Sequence, residues 1–228
     1  MVAQQTKSPE QISRPKNELE SSEIEQDTEW IACKQSPFYF LTKYGKINDP
    51  DYGVIPFEAW PHLVRLLDIF GQYREVIILK ARQLGISWVA GGYGLWKALF
   101  FEGARVLMFS RGEDEAKVLL EKAKFIHSQL PDFLRLEKGK DQETVISFPA
   151  MYSEIRALPS TERAGHGYAA SLVIRDELEH HLYAEQNLAA VGPAVDRVGG
   201  QMIDLSTANR QKLNTHFKTR YRDAKSGK

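Results

Sequence analysis

The stretch Val76-Ile77-Ile78-Leu79-Lys80-Ala81-Arg82-Gln83-Leu84-Gly85-Ile86-Ser87 decides the fold. Its first four residues form a continuous apolar run, the pattern of a strand buried on both faces of a parallel sheet. A polar, glycine-bearing turn follows, and Ser87–Phe101 reads as a helix. Strand, glycine turn and helix are the context of the phosphate loop G-x-x-x-x-G-K-[ST]. Gly85 and Ser87 fill the second glycine and the hydroxyl position, whereas Lys80 stands at the first glycine and Ile86 at the lysine. The chemistry survives these departures. Amides at a helix N-terminus cradle phosphate, Gly85 permits close backbone approach, and Ser87 offers a hydroxyl to Mg2+. The missing cation is available from Lys80 or from Arg82. An ordinary strand–turn–helix with basic residues fits the same stretch, so further elements have to arbitrate.

Working outward, Arg105–Phe109 reads as a second strand and Gly112–Leu130 as an amphipathic helix with Ala116, Leu119, Leu120, Ala123, Ile126 and Leu130 on one side. Thr144–Phe148 and Ser153–Leu158 read as a hairpin, and Ser171–Ile174 and Met202–Ser206 as buried strands, each followed by a helical segment. Strands alternating with helices imply a parallel sheet covered on both faces. Leu172-Val173-Ile174-Arg175-Asp176-Glu177 is an apolar strand ending in two carboxylates, with Arg175 interrupting the apolar run. The carboxyl ends of strands form the ligand crevice of an open α/β sheet. There Asp176 can hold Mg2+ and Glu177 can orient and activate the attacking water. A third strand ends in Ser206-Thr207-Ala208-Asn209, small polar residues able to sense a γ-phosphate and pass its state to a neighbouring loop. Read alone, that end is only a helix N-cap at Thr207 or Asn209.

The composition fits this reading. The chain has 228 residues with 30 Lys+Arg against 30 Asp+Glu, 43% hydrophobic residues and no long apolar run, so a membrane span or secretory leader is not expected. A single cysteine, Cys33, excludes an internal disulfide and suits a reducing compartment. Zero net charge argues against a histone-like nucleic-acid binder but is uneven. Residues 1–29 carry three basic and seven acidic side chains, a net of −4, and no aromatic, so they read as a disordered leader with at most a frayed helix. The remainder carries 27 basic and 23 acidic side chains, a net of +4. From Trp30 to residue 74 the chain is rich in aromatics and prolines, and His62–Phe70 reads as a helix with Leu63, Leu66, Leu67 and Phe70 on one face.

The succession KARQLGIS, LVIRDE and LSTAN resembles the large terminase subunit of tailed phages, the ATPase that packages viral DNA. PFYFLTKYGKI and GVIPFEAWP resemble the segment before that ATPase core, so the likeness runs from Trp30 to the C-terminus. It implies an α/β P-loop ATPase of the additional-strand, catalytic-glutamate type, with a mostly parallel central sheet flanked by helices over 75–228. It implies ATP and Mg2+, with Lys80 or Arg82 on the phosphates, Gln83, Leu84, Gly85 and Ile86 completing the loop, and Ser87 and Asp176 on the metal. Glu177 becomes the catalytic carboxylate, and Ser206, Thr207, Ala208 and Asn209 the coupling motif. The implied partners are double-stranded DNA, a portal protein, a small terminase subunit and further copies of the chain in a ring, a monomer in isolation. The implied place is the host cytoplasm, transiently at the procapsid portal vertex.

Two family features are altered. The glutamine that often reads adenine is absent from Trp60-Pro61-His62-Leu63, which leaves stacking on Trp60 or Phe57. Where an Arg-Gly often precedes the acid pair, this chain has His166-Gly167, with Arg163 three residues earlier. Arg163 is the preferred arginine finger, because a permanently charged fork suits a phosphoryl transition state. After Asn209 only 19 residues remain, too few for the family's nuclease domain, so the expectation is an ATPase-domain fragment or truncated product without nuclease activity. Rival readings are a helicase-like P-loop ATPase and a catalytically weak nucleotide-binding assembly module, the latter favoured by Ile86. Glu179-His180-His181 lacks the H-E-x-x-H spacing and reads as a solvated helix start. The basic run of Lys212, Lys218, Arg220, Arg222, Lys225 and Lys228 reads as a solvated face or a DNA-tracking one.

Overall fold

The computed structural model describes residues 16–227, with side chains from Glu23 onward. Helix α1 (Lys16–Gln35) contains no glycine or proline and is followed by α2 (Pro37–Tyr44), which starts where Ser36 accepts the Tyr39 amide at 3.1 Å and Pro37 takes the first turn. Strands β1 (Lys46–Asp49) and β2 (Gly53–Pro56) form an antiparallel hairpin whose turn is closed by Asp49. Helix α3 (Pro61–Gln72) buries Leu63, Leu66, Leu67 and Phe70 at helical spacing. The core follows as β3 (Glu75–Leu79), α4 (Ile86–Phe100), β4 (Arg105–Ser110) and α5 (Glu113–Ser128). Next come β5 (Asp141–Gln142), β6 (Val145–Phe148), β7 (Ser153–Pro159) and β8 (Leu172–Arg175), then α6 (Ala184–Arg197), β9 (Gln201–Ser206) and α7 (His216–Ser226).

Seven strands form one sheet in the order β3-β9-β8-β4-β7-β6-β5. The first five are parallel, and β6 and β5 return antiparallel. Side chains alternate between faces along each strand. Val106, Met108, Ile155, Ala157, Leu172, Ile174, Ile203 and Leu205 accordingly join the larger core with α3, α4 and α5. Leu107, Phe109, Val173 and Met202 point the other way, onto Val191 and Val195 of α6. Both faces are covered, as the alternation of strands and helices predicts. β9 is inserted between β3 and β8, the place of the additional strand that the resemblance implies. Among the described residues, no helix is long and apolar enough to cross a membrane.

Three expectations need correction. First, β3 is an edge strand with Leu79 46% exposed, not one buried on both faces. An apolar run reports hydrophobicity, not position in the sheet, and α7 lies beside this strand. Second, the leader expected to be disordered over 1–29 is helical from Lys16, while residues 1–15 lie outside the described residues. The C-terminal half of α1 has packing partners: Glu29 meets Lys43 at 2.8 Å and Tyr39 at 2.7 Å, the Trp30 ring lies edge-on to Phe100, and Cys33 is buried. Third, no helix starts at Thr207 or Asn209. Asn209 closes a turn onto the Gln211 amide, and Thr215 caps α7 through the Lys218 amide.

Candidate nucleotide site

The β3–α4 turn brings the loop to the carboxyl edge of the sheet. Gly85 adopts φ +71° and ends the turn, so that the amides opening α4 face outward. Gln83 is held in the left-handed region at φ 60°, and Leu84 is anchored through its carbonyl, which accepts from His62 Nε2 at 2.9 Å. Ile86, at the usual lysine position, turns into the core. The ammonium found at this place is that of Lys80. Its Nζ lies 2.7 Å from Asp176 Oδ1, 3.2 Å from Glu177 Oε1 and 3.2 Å from Ser87 Oγ, which itself donates to Asp176 Oδ2 at 2.8 Å. A hydroxyl and carboxylates converging on one ammonium form a hard-oxygen cation place, the donor set that suits Mg2+. Ser87 and Asp176 would hold the metal there once Lys80 turned to a phosphate.

Glu177 is also strained. It sits at φ 53°, and its Oε2 accepts from both the Thr207 amide at 3.1 Å and the Thr207 hydroxyl at 2.9 Å. A non-glycine residue in this region costs of order 1 kcal/mol and persists only where neighbours impose it. Burial pushes the pKa of this carboxyl up, but the Thr207 hydrogen bonds and the Lys80 charge outweigh it and hold the pKa below the usual 4.5. Glu177 is therefore ionised at neutral pH and fixed by Thr207. Ser206 accepts the Glu179 amide at 3.0 Å, so two of the four residues expected to couple touch the acid segment. Ala208 is exposed, and the Asn209 side chain serves its own turn.

The remaining expected residues divide. Trp60, 48% exposed, lines a cleft of 490 Å³ with Gln83, Gly85 and Trp88 beside the loop. Phe57 also borders it but is buried in the core and offers little face for stacking. Arg82 is exposed on the loop, borders the small cavity next to Glu177 and has no ion pair among the described residues. Arg163 and His166 stand exposed on the loop after β7, and neither contacts the Lys80–Glu177 cluster. That loop is firmly mounted all the same. Buried Asn187 accepts from Ser160 Oγ at 2.9 Å and donates to Thr161 O and Ala164 O, while Gly165 at φ +96° fits against Val191 and Phe109.

Lys80 occupying the cation place gives a direct test. Lys80→Ala is expected to let Mg2+ bind without nucleotide, raising Tm by roughly 5 °C at saturation, against little change in the parent chain or in Arg82→Ala. Equal shifts in all three proteins would show that Lys80 does not fill that place.

No protein-family model and no curated protein matches the sequence. Solved structures do match. The large terminase of bacteriophage HK97 superposes over 85% of this chain with a TM-score of 0.67 and 14% identity. The large terminase ATPase domain of Thermus phage P74-26 covers 70% of this chain and 68% of its own, with a TM-score of 0.55 and 18% identity. The fold is that of a large terminase ATPase domain. This chain spans 41% of the length of the HK97 chain, and at such identities the likeness lies in the fold rather than in the residues.

Within this terminase fold lies a buried charge cluster absent from the sequence reading. Arg175, fully buried, forms a two-pronged pair with Asp204, both contacts at 2.7 Å, because β8 and β9 run in register there. The signal was available as two opposite charges, each inside an apolar strand. Glu179 and His181 are buried rather than solvated, and no group of three or more His, Cys, Asp or Glu converges among the described residues. His181 Nε2 donates to Asp176 O at 2.8 Å. Burial, with Arg175 adding to it and that hydrogen bond opposing it, pushes its imidazole from 6.5 down to about 4. The unfolded chain thus takes up a proton below pH 6.5 that the folded chain refuses until about pH 4. Stability is expected to fall by about 3 kcal/mol across that window as pH drops. Chemical denaturation at stepped pH checks this, and His181→Gln should flatten the slope.

Proposed function

We propose that this chain is the ATP-hydrolysing motor domain of a phage large terminase, driving double-stranded DNA into a procapsid. The observation that carries the reading is the meeting of Lys80, Ser87, Asp176 and Glu177 within 3.2 Å at the carboxyl edge of a sheet with an inserted strand. The α4 amides and Lys80 receive the phosphates of ATP, and the Trp60 face receives the base. Mg2+ held by Ser87 and Asp176 would supply charge neutralisation for phosphoryl transfer. Glu177 orients the attacking water and takes its proton. Thr207 reports the state of that carboxylate to β9 and the chain beyond it. Arg163, exposed and without an ion pair, reaches the site of the next copy in a ring and stabilises the transition state there. DNA, a portal protein and a small terminase subunit are the partners of such a ring, in the host cytoplasm at the portal vertex.

The test is Mg2+-dependent ATP turnover combined with movement along duplex DNA, read as displacement of a third strand without separation of the duplex. Strand separation would replace this reading with a helicase. The burial of Ile86 favours a second reading, an assembly module with a weakened phosphate loop. Tight ATP binding with no phosphate release, even with DNA and partners present, would establish that alternative.

A further inference from the structure

Helix α7 is tied to the catalytic edge by charge. Asp204 accepts not only from Arg175 but also from Arg220 Nε of α7 at 3.0 Å, and the same guanidinium reaches Glu75 at the start of β3. Buried Glu179 pairs with Lys218 of α7 at 3.2 Å and accepts from Thr215, the residue that caps the helix. Phe217 is buried between these anchors against Leu178 and Ala184.

The anchors sit next to the chemistry. Arg175 directly precedes Asp176 and Glu177, and Glu179 follows two residues later. Asp204 lies two residues before Ser206, which binds the Glu179 amide, and three before Thr207, which binds Glu177. A shift of the acid segment or of the Thr207 segment therefore strains contacts made by α7. Close-packed interiors transmit such shifts between discrete arrangements rather than absorbing them.

We propose that α7 is the output arm of the nucleotide site, with Asp204 and Glu179 as positioning residues that convert the state of Asp176, Glu177 and Thr207 into the seating of the helix. This rests on the nucleotide-site reading above. Coupling of this kind is reciprocal, so nucleotide must alter α7 and α7 must alter the site. Arg220 is the residue to change, because it is partly exposed and its loss leaves the Arg175–Asp204 pair standing.

The experiment is hydrogen exchange of the whole chain with and without a non-hydrolysable ATP analogue and Mg2+, alongside steady-state turnover. In the parent, amides of Phe217–Arg222 are expected to change exchange rate at least about fivefold on analogue binding. In Arg220→Ala that response falls below about twofold, and kcat drops while KM for ATP is retained. Arg222→Ala is the control on the same helix, since among the described residues its guanidinium bonds only Leu213 O and Asn214. Its response and turnover should match the parent. If the analogue binds and α7 exchanges unchanged, or if Arg220→Ala responds like the parent, the output-arm proposal is overturned. If no analogue binds at all, the nucleotide-site reading falls, and this proposal falls with it.

Discussion

Glu177→Gln is expected to lower ATP turnover by two to four orders of magnitude while leaving nucleotide affinity within a few fold of the parent. A positioned general base contributes about 10²- to 10⁴-fold, and the amide keeps the size of the side chain while losing its basicity. The structure separates the two effects. Glu177 Oε2 is engaged with Thr207, an interaction that a glutamine oxygen retains, whereas Oε1 faces the Lys80 ammonium and cannot do so as a charge after the change. Single-turnover phosphate release and equilibrium binding of a labelled nucleotide, measured on the same preparation, check this. Unchanged turnover would remove Glu177 from the chemistry and leave Asp176 as the only carboxylate at the loop.

Asp204→Asn is expected to be the most destabilising single change outside the apolar core. It strips the countercharge from Arg175, a guanidinium with no solvent exposure, and leaves it with only the neutral Asn side chain and the Ala184 carbonyl at 3.1 Å. Breaking a buried pair from one side costs about 3–5 kcal/mol, or roughly 10 °C in Tm for a chain of this size. Arg175→Met combined with Asp204→Leu should recover much of that loss, because the desolvation cost of both charges disappears together. Thermal unfolding of the two single variants and the double variant measures the coupling. Additive effects would mean that the pair does not act as a unit. The double variant also keeps the acid pair of β8 intact, so its turnover reports what the buried charges contribute beyond stability.

The local elements were legible because each carries its own periodicity. The α5 face of Ala116, Leu119, Leu120, Ala123 and Ile126 and the α3 face of Leu63, Leu66, Leu67 and Phe70 are buried as their spacing predicts. The three strand ends that meet at the carboxyl edge were legible too, because a polar residue after an apolar run marks a strand's carboxyl edge. What joins elements was not. The apolar run of Val76–Leu79 cannot reveal that β9 takes one side of β3 and no strand takes the other. The charge count of residues 1–29 cannot reveal that Glu29 finds Lys43 ten or more positions on. The choice between Lys80 and Arg82 was a matter of reach, and only the fold shows that Lys80 points across to β8 while Arg82 stays on the exposed loop.

Lys80 gives the resting site its own counterion. Two carboxylates and a hydroxyl surround one ammonium, so the empty pocket does not confront solvent as a bare pair of like charges. Under the proposed function, loading would be an ion exchange: Ser87 and Asp176 would hold Mg2+ where the Lys80 ammonium now sits, and Lys80 would turn to the phosphates of ATP. Metal without nucleotide offers the lysine nowhere to go, and nucleotide without metal leaves the acids without a replacement. A site wired in this way admits the two components together and resists either one alone.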